Sequence, residues 1–230
     1  MRGILQPLGA AWQPLFQRAL AELAAQGIEP GQLWPEPARQ RASLERLQRL
    51  LDLVVVWNQR IDLTGARDAA ELVDLYLSDA FVLAGRAAQG GQQSWIDVGS
   101  GAGAPGLVLE LLRPEIALTL VEPRGKRVAF LRTAQGTLAL RAGVRECRSD
   151  ALPDASADVA VSRATFSPET WLAEGARLAR QRVWVLLARG AVPSLAGWQP
   201  AETVDYRWPL TGVSRRAVCF ARSVAERPTA

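Results

Sequence analysis

Apolar side chains recur every three or four positions through the first third of this chain, then give way to short apolar runs separated by turns. Trp12, Leu15, Phe16, Ala19, Leu20 and Leu23 trace one face of an amphipathic helix that Gly27 would stop. After Pro30, Pro35 and Pro37, a second helix from about Ser43 to Asn58 is marked by Leu44, Leu47, Leu50, Leu51, Val54 and Trp57, with Ser43 as its N-cap. A turn over 62–68 leads to a third helix from Ala69 to about Ala88, closed by Gly90 and Gly91. From Ser94 onward strands and helices alternate. Strands are expected at 94–98, 116–121, 144–148, 157–161 and 182–187, and helices at 107–112, 125–140 and 168–179. The runs 203–208 and 215–222 read as a terminal antiparallel pair around Pro209 and Gly212, and a loose tail follows Ala225. This pattern predicts an α/β fold, a mostly parallel sheet covered on both faces, behind a helical N-terminal segment. The division expected is residues 1–90 for that segment and 91–230 for the sheet domain.

Composition narrows the chemistry more than the fold. The 230 residues, 49% apolar and 22% charged, are those of a water-soluble globular protein. Histidine is absent, so an imidazole base or a histidine-bound metal is excluded. Cys147 and Cys219 stand far apart without a C-x-x-C spacing and read as small core residues. The net charge of +4 is compatible with nucleic acid, and 26 of the 27 cations are arginine, which suits phosphate at least as well as lysine does. The first residues are broken by Pro7, Gln13, Pro14, Gln17 and Arg18, so they lack the apolar block of a signal peptide, and no apolar run is long enough to span a bilayer. A cytoplasmic location is therefore expected.

Candidate chemistry centres on Asp97-Val98-Gly99-Ser100-Gly101-Ala102-Gly103-Ala104-Pro105-Gly106, between a predicted strand and a predicted helix. Strand, glycine turn and helix make the geometry of a nucleotide-type cofactor site. The backbone can approach a ligand closely, the helix N-terminus carries partial positive charge, and the strand-end carboxylate Asp97 accepts hydrogen bonds. Taken alone the turn also fits the dinucleotide fingerprint, or a plain strand-to-helix connection. Glu122 closes the next strand at the spacing where a carboxylate takes ribose hydroxyls, which suits NAD and S-adenosylmethionine equally. Asp150, after the third strand, adds an acid placed to reach an adenine amine. An acid–glycine turn followed by acids after strands two and three resembles the class I methyltransferase pattern.

Several strings together are more specific. Trp57-Asn58, Asp62-Leu63-Thr64, Arg67-Asp68, Asp79, the 97–106 turn, Arg113-Pro114, Gly125-Lys126-Arg127-Val128 with Phe130-Leu131, and Ser162-Arg163-Ala164 resemble the ribosomal small-subunit guanine-N7 methyltransferases, also called the glucose-inhibited division protein B family. The likeness spans roughly residues 40 to 190. It implies a class I, Rossmann-like methyltransferase domain with a seven-stranded sheet, S-adenosylmethionine as cofactor, and 16S rRNA of the small ribosomal subunit as partner. Carried over by position, the family's cofactor contacts fall on Gly99, Ala104, Glu122, Ser149, Asp150 and Arg163. Asp97, Gly101 and Gly103 join them from the reading of the turn. The chain departs from the family pattern at Leu75-Tyr76, where the family has Arg-His, at Ala80 in place of serine, and at Arg189-Gly190 in place of Lys-Gly. These positions are expected on the RNA side.

Methyl transfer from a sulfonium is an in-line displacement whose main demand is alignment. Guanine N7 offers a lone pair and no proton, so no general base is needed, which fits a chain without histidine. Cytosine C5 chemistry would require a cysteine nucleophile in the substrate site. Amine acceptors usually use an Asn/Asp-Pro-Pro-aromatic motif, whereas the position after the fourth strand reads Ser162-Arg163-Ala164-Thr165-Phe166. Arg163 is the candidate catalytic residue, poised to fork onto guanine O6 or to hold the cofactor carboxylate, while Phe166 reads as a core aromatic that could also stack on a base. Lys126, Arg127, Arg189 and Tyr76 are the candidate RNA contacts. The expected protein is a monomeric rRNA guanine-N7 methyltransferase without metal or membrane anchor. Alternatives are a methyltransferase with another acceptor and a non-catalytic ribosome-binding homologue; a nicotinamide enzyme would need a hydride-transfer partner that the sequence does not display.

Overall fold

The computed structural model describes residues 5–34, 36–87 and 93–223. Four helices come first: α1 Trp12–Ala25, α2 Pro30–Leu33, α3 Pro37–Asn58 and α4 Ala69–Ala84. They lead into β1 Ser94–Val98, α5 Gly106–Leu112, β2 Ala117–Val121, α6 Gly125–Leu138, β3 Gly143–Arg145, β4 Ala157–Ser162, α7 Pro168–Leu178, β5 Ala179–Leu187, β6 Trp198–Arg207 and β7 Ser214–Arg222.

The strands form one sheet in the order β3-β2-β1-β4-β5-β7-β6. β1 through β5 run parallel, and β7 enters antiparallel between β5 and β6. The order of strand addition reverses at β1, with β2 and β3 on one side and β4 and β5 on the other, so the carboxyl ends of β1, β2 and β4 open on a crevice at the switch point where α/β folds bind ligands. This is the class I, Rossmann-like methyltransferase fold expected from the sequence.

Alternation along β1 divides the core. Trp95 joins a cluster with α1, α3, α4, α5 and α6, while Ile96 and Val98 face the other side, where the helical residues of the cluster all come from α7. The N-terminal helices thus share one apolar core with the sheet. Their anchors are polar as well: Asp52 on α3 accepts from the backbone of Leu8 and Gly9 and from the Trp12 indole at 2.7 Å, and Arg46 donates to the carbonyls of Leu138 and Ala139.

Boundaries differ from expectation in instructive ways. α3 begins at Pro37, six residues before Ser43, because proline's fixed φ and missing N–H suit the first helical turn; Ser43 is a buried interior residue rather than a cap. Asp68 is the N-cap of α4, accepting from the Glu71 N–H at 2.9 Å. β3 is shorter than expected, because the chain turns at Ser149–Ala151 into a single 3-10 turn. The short α2 was not foreseen. The stop expected at Gly90 and Gly91 and the tail after Ala225 lie outside the described residues.

Candidate cofactor and acceptor site

The glycine turn is built from backbone and two side chains. Gly99 and Ser100 N–H groups both donate to the Val121 carbonyl at the end of β2, and Ser100 Oγ bridges the Asp97 carbonyl and the Val121 N–H. Gly99 has φ +72°, and a Cβ there would stand 2.1 Å from Thr165 Oγ1, so both the backbone and its neighbour require glycine. Gly101 and Gly103 also adopt positive φ, and Ala104 is packed inward beside them.

Asp97 holds this turn from beneath. Its side chain is 1% exposed, and Oδ2 accepts from the Gly106 N–H at 3.1 Å, the first N–H of α5. The approach depends on Gly106, where a Cβ would lie 2.6 Å from that oxygen. Burial pushes the Asp97 carboxyl up to about 7, against the lowering influence of the Arg163 charge and the Gly106 hydrogen bond. The Asp97 carboxylate, expected among the cofactor contacts, thus takes the first α5 N–H itself and sits under the crevice.

Glu122 lies at the end of β2 with each oxygen engaged by backbone, Oε2 by Gly101 N–H and Oε1 by Arg124 N–H, both at 2.9 Å. Each oxygen keeps a second lone pair, the acceptor set onto which a ribose diol can donate. Ser149 and Asp150 stand in the turn after β3. Arg177 on α7 fixes that turn by donating to the carbonyls of Ser149 and Leu152, both at 2.8 Å, while pairing with Glu174 and Asp154. Asp150 is exposed and pairs with Arg148 at 3.1 Å. The glycine turn, Glu122 and the Ser149–Asp150 turn occupy successive strand ends, so the residues present fit an adenosine-containing cofactor laid across them.

Beside this crevice, a cavity of about 460 Å3 opens at the ends of β4 and β5. Its walls include Leu75, Arg163, Phe166, Arg189, Trp208 and Arg215. Phe166 stacks on Trp171 with centroids 6.0 Å apart and packs against the second core cluster while lining the cavity. The Arg215 guanidinium lies 4.0 Å over the Trp208 ring. Thr165 joins crevice and cavity: it lines the cavity, and the single proton of its Oγ1 is within reach of the Arg163, Val98 and Gly99 carbonyls at 3.3, 3.4 and 3.5 Å.

The candidate RNA residues separate. Tyr76 is fully buried, and its hydroxyl donates to the Ala102 carbonyl, so it braces the glycine turn and is closed to RNA. Burial raises its phenol well above the ordinary range. Ala80 is likewise in the core. Arg189 is exposed at the cavity rim, and Leu75 lines the wall. Lys126 is exposed at the start of α6, whose first turn has no acid, and Arg127 donates to the Asp62 carbonyl at 3.1 Å. The glycine and acid pattern does not point to Arg177, Tyr206, Trp208 and Arg215, which α7 or the folded β6–β7 hairpin brings to the site, nor to Thr165, which follows β4 inside the Ser162–Phe166 string. Among the described residues, no cluster of His, Cys, Asp or Glu is placed to hold a metal, and no helix is long and apolar enough to cross a membrane.

The family model described as rRNA small subunit methyltransferase G matches residues 43–198. A protein of Halorhodospira halophila carrying that name is 41% identical over 136 residues, 59% of this chain and 63% of that relative, so the chain spans less than two thirds of its length. Proteins of the same name from Anaeromyxobacter dehalogenans and Myxococcus xanthus are 36% and 30% identical, over 69% and 77% of this chain and 73% and 87% of theirs. With the glycine turn, Glu122 and Arg163 falling inside the matched span, the chain belongs to the rRNA small subunit methyltransferase G family.

Proposed function

We propose that this protein transfers the methyl group of S-adenosylmethionine to N7 of a guanine in 16S rRNA, acting on the small ribosomal subunit. The observation that carries this reading is the junction at Thr165, where the glycine turn and the arginine- and aromatic-lined cavity share one side chain. A donor held across Gly99, Glu122 and Asp150 and a base held in the cavity would meet there. When bound, the cofactor supplies a sulfonium methyl: the C–S bond breaks as the C–N7 bond forms, and the positive charge passes from sulfur to the purine ring.

The chain's own contribution is alignment and exclusion of water. Glu122 fixes the ribose, the Gly99–Ala104 backbone lets the cofactor approach, and Ser149 with Asp150 bounds the adenine. Arg163 reaches the base from the β4 end, Phe166 and Trp208 offer apolar faces, and Arg189 and Lys126 meet phosphates at the rim. No residue has to remove a proton. The departures from the family pattern at Tyr76 and Ala80 lie in the core, so they bear on packing rather than on the choice of acceptor.

S-adenosylhomocysteine should raise the melting temperature saturably, and NAD should not. Glu122→Ala should weaken calorimetric binding of S-adenosylhomocysteine by roughly 1–3 kcal/mol through loss of a charged acceptor. An unchanged affinity would show that the ribose lies elsewhere.

A further inference from the structure

Arg163 is held by parts of the chain far from it in sequence. Its Nη1 donates to the Leu75 carbonyl and, at 3.2 Å, to Asp79 Oδ2, both on α4. The other oxygen of the same carboxylate, Asp79 Oδ1, accepts from the Tyr206 hydroxyl at 2.6 Å, contributed by β6. Asp79 is 2% and Tyr206 4% exposed, while the Arg163 side chain retains 20% and lines the cavity. The described residues provide no hydrogen bond to Arg163 Nε or Nη2.

We infer that Tyr206 and Asp79 are positioning residues that clamp one arm of Arg163, leaving its Nε/Nη2 edge as a fixed donor to O6 of the acceptor base. A guanidinium is planar, so fixing Nη1 against a carboxylate and a carbonyl sets the plane of the whole fork. A free arginine would have to give up several rotatable bonds when the base arrives; here folding has already ordered it. The carboxylate in turn cannot swing, because the phenol occupies its second oxygen. Burial and then the Asp79 charge hold the Tyr206 hydroxyl protonated, so it remains a donor. The same helix that braces the glycine turn through Tyr76 therefore sets the acceptor-side fork through Leu75 and Asp79. This ties the register of donor and acceptor to one rigid element. The inference rests on the proposed guanine acceptor for what the fork meets, though not for the clamp itself.

Nitrogen-15 NMR of the full chain reads the clamp without any substrate. In the native protein the Arg163 side-chain signals, assigned with Arg163→Lys, should show slow rotation about Nε–Cζ, and Tyr206→Phe should release it while the chain still unfolds in one cooperative thermal transition. Free rotation in the native protein overturns the clamp. Transfer to small ribosomal subunits reads its consequence: Tyr206→Phe should lower kcat about tenfold, the scale of a hydrogen bond to a charged group, with KM and affinity for S-adenosylhomocysteine unchanged. Combined with Arg163→Lys it should add nothing further. Additive losses would show that Tyr206 acts independently of Arg163, and a fall in S-adenosylhomocysteine affinity would place the fork on the cofactor carboxylate; either overturns the inference. A clamped Arg163 in a native protein that methylates no rRNA would instead overturn the proposed acceptor and, with it, the O6 assignment.

Discussion

At Asp97 burial beneath the glycine turn sets a proton affinity. Its carboxyl lies near 7 in the folded chain, mainly through burial, against an ordinary 3.8. Between those values the folded state binds more protons than the unfolded one, so this group's contribution to stability falls as pH rises from about 4 to about 7 and is flat above. The loss is a few kcal/mol at about 1.4 kcal/mol per pKa unit. Asp158 works in the opposite sense: hydrogen bonding to Arg180 holds it at about 2, so its stabilisation is present above 4 and lost only in stronger acid. Asparagine at position 97 keeps an oxygen for the Gly106 N–H but cannot titrate. Urea unfolding over pH 4 to 8 should therefore show Asp97→Asn gaining on the native protein as pH rises to about 7, then running parallel. Parallel curves throughout would show that Asp97 stays ionised in the fold.

At the scale of elements, α7 has a task that the six helices of the opposite face divide among them, as far as the described residues show. It presses Trp171, Leu172 and Ala176 onto β4 and β5, and the Trp171 indole donates to the Trp184 carbonyl at 2.8 Å. Gly175 permits that approach, since a Cβ there would lie 2.6 Å from Val183 Cγ1. Gly175→Ala should therefore destabilise the protein by about 1–2 kcal/mol in urea, overpacking outweighing the gain of up to about 1 kcal/mol in helix propensity. A stabilised variant would mean that α7 sits less tightly on the sheet. Elements of this kind were legible in the sequence wherever one period dominated. The 3.6-residue rhythm located α1 and the body of α3, and short apolar runs located β1, β2 and β4. Starts governed by proline geometry, such as Pro37, and the turn after β3 that cuts its strand short were less legible, because side-chain polarity carries little of that information.

Across the whole molecule, α4 connects what the sequence keeps apart. Asp74 accepts from the Leu210 and Thr211 backbone and the Thr211 hydroxyl, Asp79 takes Tyr206 and Arg163, and Tyr76 holds the glycine turn. The proposed cofactor half of the site was readable because its residues cluster in short strings, Gly99 to Gly106 and Glu122. The proposed acceptor half was readable at Arg163, Phe166 and Arg189, which line the cavity. Its other wall, Trp208 and Arg215, comes from the β6–β7 hairpin, whose strand pattern reports burial and gives no hint of the cavity it borders. Buried Tyr76 shows the converse, a position assigned to RNA by its place in a string that tertiary packing turned inward. The most direct test of the account is mass spectrometry of 16S rRNA after small ribosomal subunits lacking the modification are incubated with this protein and methyl-labelled S-adenosylmethionine. The account predicts label in 7-methylguanosine at one position; firm binding of S-adenosylhomocysteine with no label entering rRNA, in subunits or as naked RNA, would contradict it.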